Sequence, residues 1–476
     1  MKFSLFIIII FLTAASAAAQ QNDDYIVVVG DSMVGKSVSG EMIREVFGRV
    51  RLTQGNVVIT CNKAVQYISR NNAVLTGNVV IVQDTLTITT DEAFYYGNGK
   101  RSESKTPLKL DDKKVILTAN RGEYFYDEDR AYFQDNVKLF DTVTTMTSNE
   151  LTYFKNENRS IAIGNVKIVD QENIIEAQKI QHYRNNRVTL ADIKVKISSK
   201  VNNVVIYGDH LEDYAEKSYT IIDKNPLLMQ IDSSYVEVKD TVRRDTVNAF
   251  TAYPTKRLQI DTLLIRSLIM EAYRDTLNIF EAKDSVKIIR SNFASRNDFS
   301  VYFRDEDKII TEKVQPESPQ PVLWYENSQL TGDSIAIYLR ENQIQLIDIM
   351  KNAFILSQDK IYSSRFDQIS GDRIIMHFND DGIERMEIFE GVLSIYYLYE
   401  DGSPNGLTKS SSQSAVINIL DGKVNQVKLY GSPSSEYYPE NMVEGNELSY
   451  TLPQYIMHKN RPKKVDLLSR KTNSSF

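Results

Sequence analysis

A single cysteine, Cys61, stands in a chain of 476 residues. It cannot close a disulfide within the chain, so the fold has to hold by burial and backbone hydrogen bonding. It also lies too far from the N-terminus to be a lipoprotein cysteine. Histidine is almost as scarce: His182, His210, His377 and His458 are the whole set, and none is spaced to share a metal with another. That argues against metal-centred and histidine-based catalysis. No cofactor and no enzymatic activity are expected. Charge of one sign is lacking as well. Lys and Arg number 56 against 63 Asp and Glu, a net charge of −7 with the signs interspersed. Nucleic acid is therefore not an expected partner, since phosphate binding needs a basic face. Proline (11) and tryptophan (1) are few, and amphipathic helical stretches are nearly absent.

What the chain does have is strand composition. Val, Ile and Thr recur in short runs with 27 Tyr and 19 Phe. The N-terminus carries the clearest local signal. Met1-Lys2 is positive, Phe3 to Leu12 is apolar, and Ala17-Ala18-Ala19 fits the small-x-small cleavage rule. A signal peptide over residues 1–19 is expected, hence an exported protein. Its apolar run is too short to span a bilayer, which takes about 20 residues, and no later run is long enough.

Two phrases alternate along the chain. The first is a small or polar residue followed by Val-x-aliphatic. It reads Gly55-Asn56-Val57-Val58-Ile59, Gly77-Asn78-Val79-Val80-Ile81, Asp135-Asn136-Val137-Lys138-Leu139 and Gly164-Asn165-Val166-Lys167-Ile168. It returns as Asp192-Ile193-Lys194-Val195, Ser285-Val286-Lys287-Ile288 and Gln426-Val427-Lys428-Leu429. The second phrase is Asp, a small or polar residue, then an aliphatic, as in Asp84-Thr85-Leu86, Asp209-His210-Leu211 and Asp333-Ser334-Ile335. Spacing of the first phrase runs 22 residues from Gly55 to Gly77, 29 from Asp135 to Gly164 and 27 from Gly164 to Ala191. Such a repeat means units that bury their apolar face only by stacking. With a period of two, Val137 and Leu139 share one face and Lys138 takes the other. A slip of one residue would bury every such lysine, so the register is well specified.

The breaks are few. Pro316, Pro319 and Pro321 mark a loop, Thr106 to Lys114 reads as a charged insertion, and Glu41 to Phe47 as one short helix. The phrasing blurs between Lys217 and about Asp261. The expected domain plan is a first segment over residues 20–216, a soft boundary over 217–260, a second segment over 261–452 and a basic, frayed tail over 453–476.

Gly30-Asp31-Ser32-Met33-Val34-Gly35-Lys36-Ser37 matches the P-loop pattern. No βαβ units follow it, and Gly30-Asp31-Ser32-Met33 is itself a copy of the internal phrase at Gly332-Asp333-Ser334-Ile335. The expected reading is a turn into the first repeat. Paired carboxylates such as Asp111-Asp112 fall in turn segments and read as solvated.

The alternation of Gly-Asn-Val-x-Ile with Asp-Thr-Leu and Gly-Asp-Ser-Ile resembles the OstA-like (organic-solvent-tolerance-like), LptA-like family of lipopolysaccharide-transport proteins. Val74-Leu75-Thr76-Gly77-Asn78-Val79, Asp84-Thr85-Leu86 and Phe94-Tyr95-Tyr96 carry the likeness most closely, and Gly431-Ser432-Pro433 with Tyr437-Tyr438-Pro439-Glu440 resembles a closing phrase. The likeness is good from about Gly30 to Asp213 and patchier from Asp261 to Glu440. The resemblance implies an all-β fold, an elongated, taco-like β-jellyroll array of short antiparallel strands, in one run or as two consecutive segments. It implies lipopolysaccharide as ligand, its lipid A acyl chains lying in an apolar groove. The groove candidates are Val57, Ile59, Val79, Ile81, Val137, Leu139, Val166, Ile168, Val286 and Ile288. The implied partners are the outer-membrane lipopolysaccharide assembly protein and the inner-membrane transport complex, met by edge-strand pairing, with head-to-tail self-association open to the same edges. Tyr25 to Val29 with Val57 to Ile59, and Val427 to Tyr430, are the edge candidates. The alternative is a structural β-solenoid, an adhesin or envelope scaffold, with a core closed by its own side chains.

Overall fold

A computed structural model describes residues 25–240, 253–290, 293–340, 343–380, 382–420 and 422–469. The expected signal peptide lies outside them. Strands dominate, and every described strand pairing is antiparallel. The chain divides into two compact units, Met1–Thr142 and Val143–Phe476.

In the first unit Glu41–Gln54 pairs with Val57–Tyr67, which pairs with Asn72–Gln83, which pairs with Leu86–Tyr96. Each long strand is broken midway. At Gly77-Asn78 both residues have positive φ (80° and 49°), and the register shifts there against both neighbours. Two successive left-handed residues cannot continue a pleat, so the strand turns a corner. Gly and Asn are the residues that adopt this backbone at least cost.

The corner divides each strand into two halves, and so each unit into two leaves. Shorter strands confirm the division. Val27–Val29 and Ser32–Val38 both pair with Glu41–Gln54, one on each half. Arg101–Ser104 and Leu108–Asp111 divide Leu86–Tyr96 in the same way. The supposed insertion at Thr106 to Lys114 is thus part of the sheet. Its charged residues alternate with Leu108 and Leu110, which are buried.

The corners set the true period. Gly48 to Gly77, Asp135 to Gly164 and Gly164 to Ile193 are each 29 residues, and all begin left-handed pairs. The spacings of 22 and 27 mixed two devices. Gly55-Asn56 is a hairpin turn between Gln54 and Val57, not a corner. Asp84 likewise sits in a hairpin turn, whereas Asp209 and Asp333 sit at corners.

The Gly-Asp form of the phrase has its own physical reason. A Cβ on Gly30, Gly208 or Gly332 would lie 2.5 Å from a methyl of Val46, Ile222 or Ile349 on the next strand. At each corner the following amide is held across the bend: Asp31 N–H donates to the Gly48 carbonyl (3.0 Å) and Asp209 N–H to the Lys224 carbonyl (3.0 Å). The P-loop match is one of these corners. Ser32–Val38 is a strand, and Lys36 pairs with Glu45 at 2.9 Å. No helix follows to present amide groups to a phosphate. The short helix expected at Glu41 to Phe47 is also strand, because pairing on both sides satisfies its backbone there.

The second unit repeats the plan. Leu227–Asp240 and Tyr253–Arg266 form one long hairpin where the phrasing blurred. Arg290, 2% exposed, lies at its root and pairs with Asp232 (2.9 Å) and Asp261 (2.6 Å). The loop expected at Pro316 to Pro321 falls between Lys308–Glu312 and Val322–Tyr325.

The tail departs from expectation. It is not frayed through residue 468. Arg365 pairs with Glu440, Leu452 N–H donates to Gln368 Oε1 (2.8 Å), and His458 N–H donates to Gln329 Oε1 (2.8 Å). Val443 and Leu452 pack with Phe354, Leu356, Ile395 and Leu407, and Leu467 packs with Leu227 and Leu264. The strand register places this cluster on the face opposite Ile355 and Ile369, the outer face of one leaf. The tail is a strap over an apolar outer surface, and that is why Val322–Tyr325 and Ser328–Thr331 are buried at every position.

Candidate functional site

All ten groove candidates are buried. The pairing register also brings most of them into line. In the first unit Leu52 stands opposite Ile59, Ile59 opposite Ile81, and Ile81 opposite Ile88. The row continues through Leu110 and Leu117 to Leu139. In the second unit Met146, Ile168, Ile175, Ile197, Ile206 and Leu228 form the same kind of row, which passes on to Ile265 and Ile288. Each unit thus carries an aliphatic rail at one height on one leaf. Val57, Val79, Val137, Val166 and Val286 sit two residues from the rail on the same face. Lys138 is exposed and Lys167 largely so, as the register requires.

The opposite leaf alternates large and small. Val46, Ala64, Leu75 and Ala93 stand in one row in the first unit. Leu151, Ala162, Ile180, Ala191 and Leu211 do so in the second. Small residues opposite a rail are where a foreign chain could be taken in.

In the first unit that space is filled from within. A void lined by Ile81 and Ile88 of one leaf and Tyr124 and Phe133 of the other has a volume of about 10 Å³, room for one water at most. Tyr95, Tyr124, Tyr126 and Phe133 occupy the interior. Burial pushes the Tyr126 phenol far above its usual range, and its hydroxyl donates to Ser102 Oγ at 2.8 Å. Polar groups tie the rim: Tyr95 Oη donates to Gln54 Oε1 (2.7 Å), Gln54 Nε2 to the Gly97 carbonyl (3.0 Å), Gln66 Nε2 to the Ile26 carbonyl (3.0 Å) and Ile26 N–H to Asn71 Oδ1 (3.0 Å).

In the second unit a cavity of about 280 Å³ remains between the leaves. Ile197 and Ile206 of the rail form one wall, Ile222, Met270 and Phe280 the other. Arg274 and Arg304 also line it. Nothing in the sequence phrasing marked these two arginines, which fall in turns.

The strand edges are equally part of the site. Val27–Val29 and Ser32–Val38 pair only with Glu41–Gln54 among the described residues, and Val27, Val29, Met33, Val34 and Val38 are exposed. Among the described residues Lys423–Tyr430 and Ser434–Tyr438 pair only with Ser403–Leu420, and Val427, Tyr430 and Tyr437 are exposed. Val57 to Ile59 is no edge. It is paired on both sides, because Glu41–Gln54 intervenes. Among the described residues no group of His, Cys, Asp and Glu could hold a metal ion, and no helix is long and apolar enough to cross a membrane.

Residues 24–178 match the family of OstA-like proteins. That segment resembles OstA-like proteins. It holds the whole described first unit and the first strands of the second. A solved structure also aligns with the chain: LptH, the LptA-homologous periplasmic component of the conserved lipopolysaccharide transport device from Pseudomonas aeruginosa. Identity is 15%, with 31% of this chain and 94% of that one covered, at a TM-score of 0.16. No curated protein matches the chain in sequence. The OstA-like segment contains eight of the ten groove candidates, Val57 through Ile168; Val286 and Ile288 lie beyond it.

Proposed function

We propose that this chain is a non-enzymatic periplasmic protein that binds lipopolysaccharide and passes it toward the outer membrane. The lipid A acyl chains lie along the aliphatic rail, against Ile59, Ile81, Leu139, Ile168 and Ile288, with Val57, Val79, Val137, Val166 and Val286 beside them. The observation that carries this reading is the aliphatic rail that each unit holds on one leaf. Each acyl methylene taken out of water there is stabilised by roughly 0.8 kcal/mol. Entry requires the two leaves to part at the rim, which the Gln54–Tyr95 contact and the hydrogen bonds of Ile26 with Gln66 and Asn71 hold together. The exposed edges at Ser32–Val38 and Lys423–Tyr430 suit strand addition. By that route the chain would join the outer-membrane assembly protein, the inner-membrane transport complex, or a second copy head to tail.

A second reading has one observation in its favour. The first unit's interior is filled by its own tyrosines, with a void of only about 10 Å³. That is the core of a closed structural scaffold. Native mass spectrometry of the protein expressed in the periplasm separates the two. Co-purified lipopolysaccharide is the expected result, and a lipid-free spectrum after gentle extraction would favour the scaffold.

A further inference from the structure

The cavity of the second unit is lined by aliphatic side chains and Phe280 together with polar residues and two arginines, Arg274 and Arg304. Arg274 is neutralised: its Nη2 lies 2.8 Å from Asp213 Oδ1. Arg304 is not. It is half-buried, makes no ion pair with a described carboxylate, and its guanidinium lies 6.0 Å from the centre of the Phe280 ring. Burial and the like charge of Arg274 hold its pKa below the usual arginine value, while neighbouring Tyr302 and Asp305 act the other way. A half-buried guanidinium with no carboxylate in direct contact, lining a cavity with aliphatic walls, is free to pair with an incoming anion. Glu172 lines the same cavity but is exposed at its outer lip.

The size limits the guest. A volume of about 280 Å³ is near the lower bound for small-molecule pockets, roughly 300 Å³. One alkyl chain enters such a space; a bundle of chains does not.

We propose that this cavity binds a single-chain anionic amphiphile, its carboxylate or phosphate head on Arg304 and Arg274 and its chain between Ile206, Ile222 and Phe280. The site goes beyond the lipopolysaccharide reading, and most of its lining lies outside the OstA-like segment. Ala272, on the same wall as Met270, faces the open space.

The test is isothermal titration calorimetry of the full mature chain below micelle concentrations. The probes are laurate, dodecyl phosphate and uncharged dodecyl maltoside. One-to-one binding of an anionic probe is expected, at least tenfold tighter than the maltoside; the better of the two anions identifies the head. Arg304→Gln should weaken it at least tenfold, and Ala272→Phe should abolish it, with thermal midpoints close to wild type. If Arg304→Gln does not fold, the charged-against-neutral comparison and Ala272→Phe decide. Equal affinity for the maltoside, full binding by either variant, or no binding of either anion would overturn the proposal. Lipopolysaccharide co-purifying with the whole protein tests the other reading, because none of the ten groove candidates lines this cavity.

Discussion

Val166→Asp separates a dry interior from an open, wetted groove. Val166 is 1% exposed, stands opposite Ala177, and follows the corner at Gly164-Asn165. Val166→Ala removes two methyl groups from this site. At roughly 0.8 kcal/mol each, with a cavity term added, the loss is about 2 kcal/mol. Val166→Asp loses the same transfer energy and adds a carboxyl group with no partner, for a total of about 4 kcal/mol or more. Lys167→Ala, one residue on and facing outward, should fall within about 0.5 kcal/mol of wild type. The pH dependence has a definite sign. A buried carboxyl has a raised pKa, so the folded state holds its proton longer than the unfolded state, and the penalty shrinks as pH falls. Urea unfolding followed by tyrosine fluorescence at pH 7.5 and pH 5 measures both effects. A Val166→Asp loss under about 1 kcal/mol, or one independent of pH, would show that water already reaches the rail.

Three further predictions follow from single contacts. Burial pushes the Asp367 carboxyl up to about 7, even though it accepts the Tyr397 N–H at 2.9 Å. The folded state therefore binds the extra proton between the ordinary carboxylate range and about pH 7, and stability falls as pH rises through that window. Asp367→Asn should flatten this decline and be the more stable form at pH 8; an unchanged pH profile in thermal melts counts against it. Leu467→Asp puts a charge where Leu227 and Leu264 pack, and should free the strap for limited proteolysis while the sheets stay protected. A tail as resistant as wild type refutes the packed strap. Gly332→Ala sets a Cβ 2.5 Å from the Ile349 Cγ2 and should cost about 1–3 kcal/mol. The cost should shrink in an Ile349→Ala background, and additive losses in the double-mutant cycle would contradict the corner geometry.

The strand faces were legible in the sequence because side-chain alternation has a period of two. Lys138 between Val137 and Leu139 was enough to assign both faces. The period of 29 was harder to read, because one phrase serves two backbone devices. Gly55-Asn56 and Gly77-Asn78 share letters, yet one closes a hairpin and the other turns a corner. Only φ and pairing partners separate them, and Ile193-Lys194 turns a corner with no glycine at all. The strap was hidden because its own composition is basic and poor in pattern. Its trace lay elsewhere, in Val322-Leu323-Trp324-Tyr325, where apolar residues occupy both faces of a strand. The filling of the first unit's interior depends on how Tyr95, Tyr124 and Tyr126 point, and alternation alone says nothing of that.

The most direct test of the central claim is photo-crosslinking in living cells. A photoreactive residue at Ile59, Ile81 or Ile168 on the rail should capture lipopolysaccharide, and the same residue at Lys138 on the outer face should capture none. Equal labelling of the two faces, or no labelling at the rail, would contradict the transport account and favour a closed scaffold.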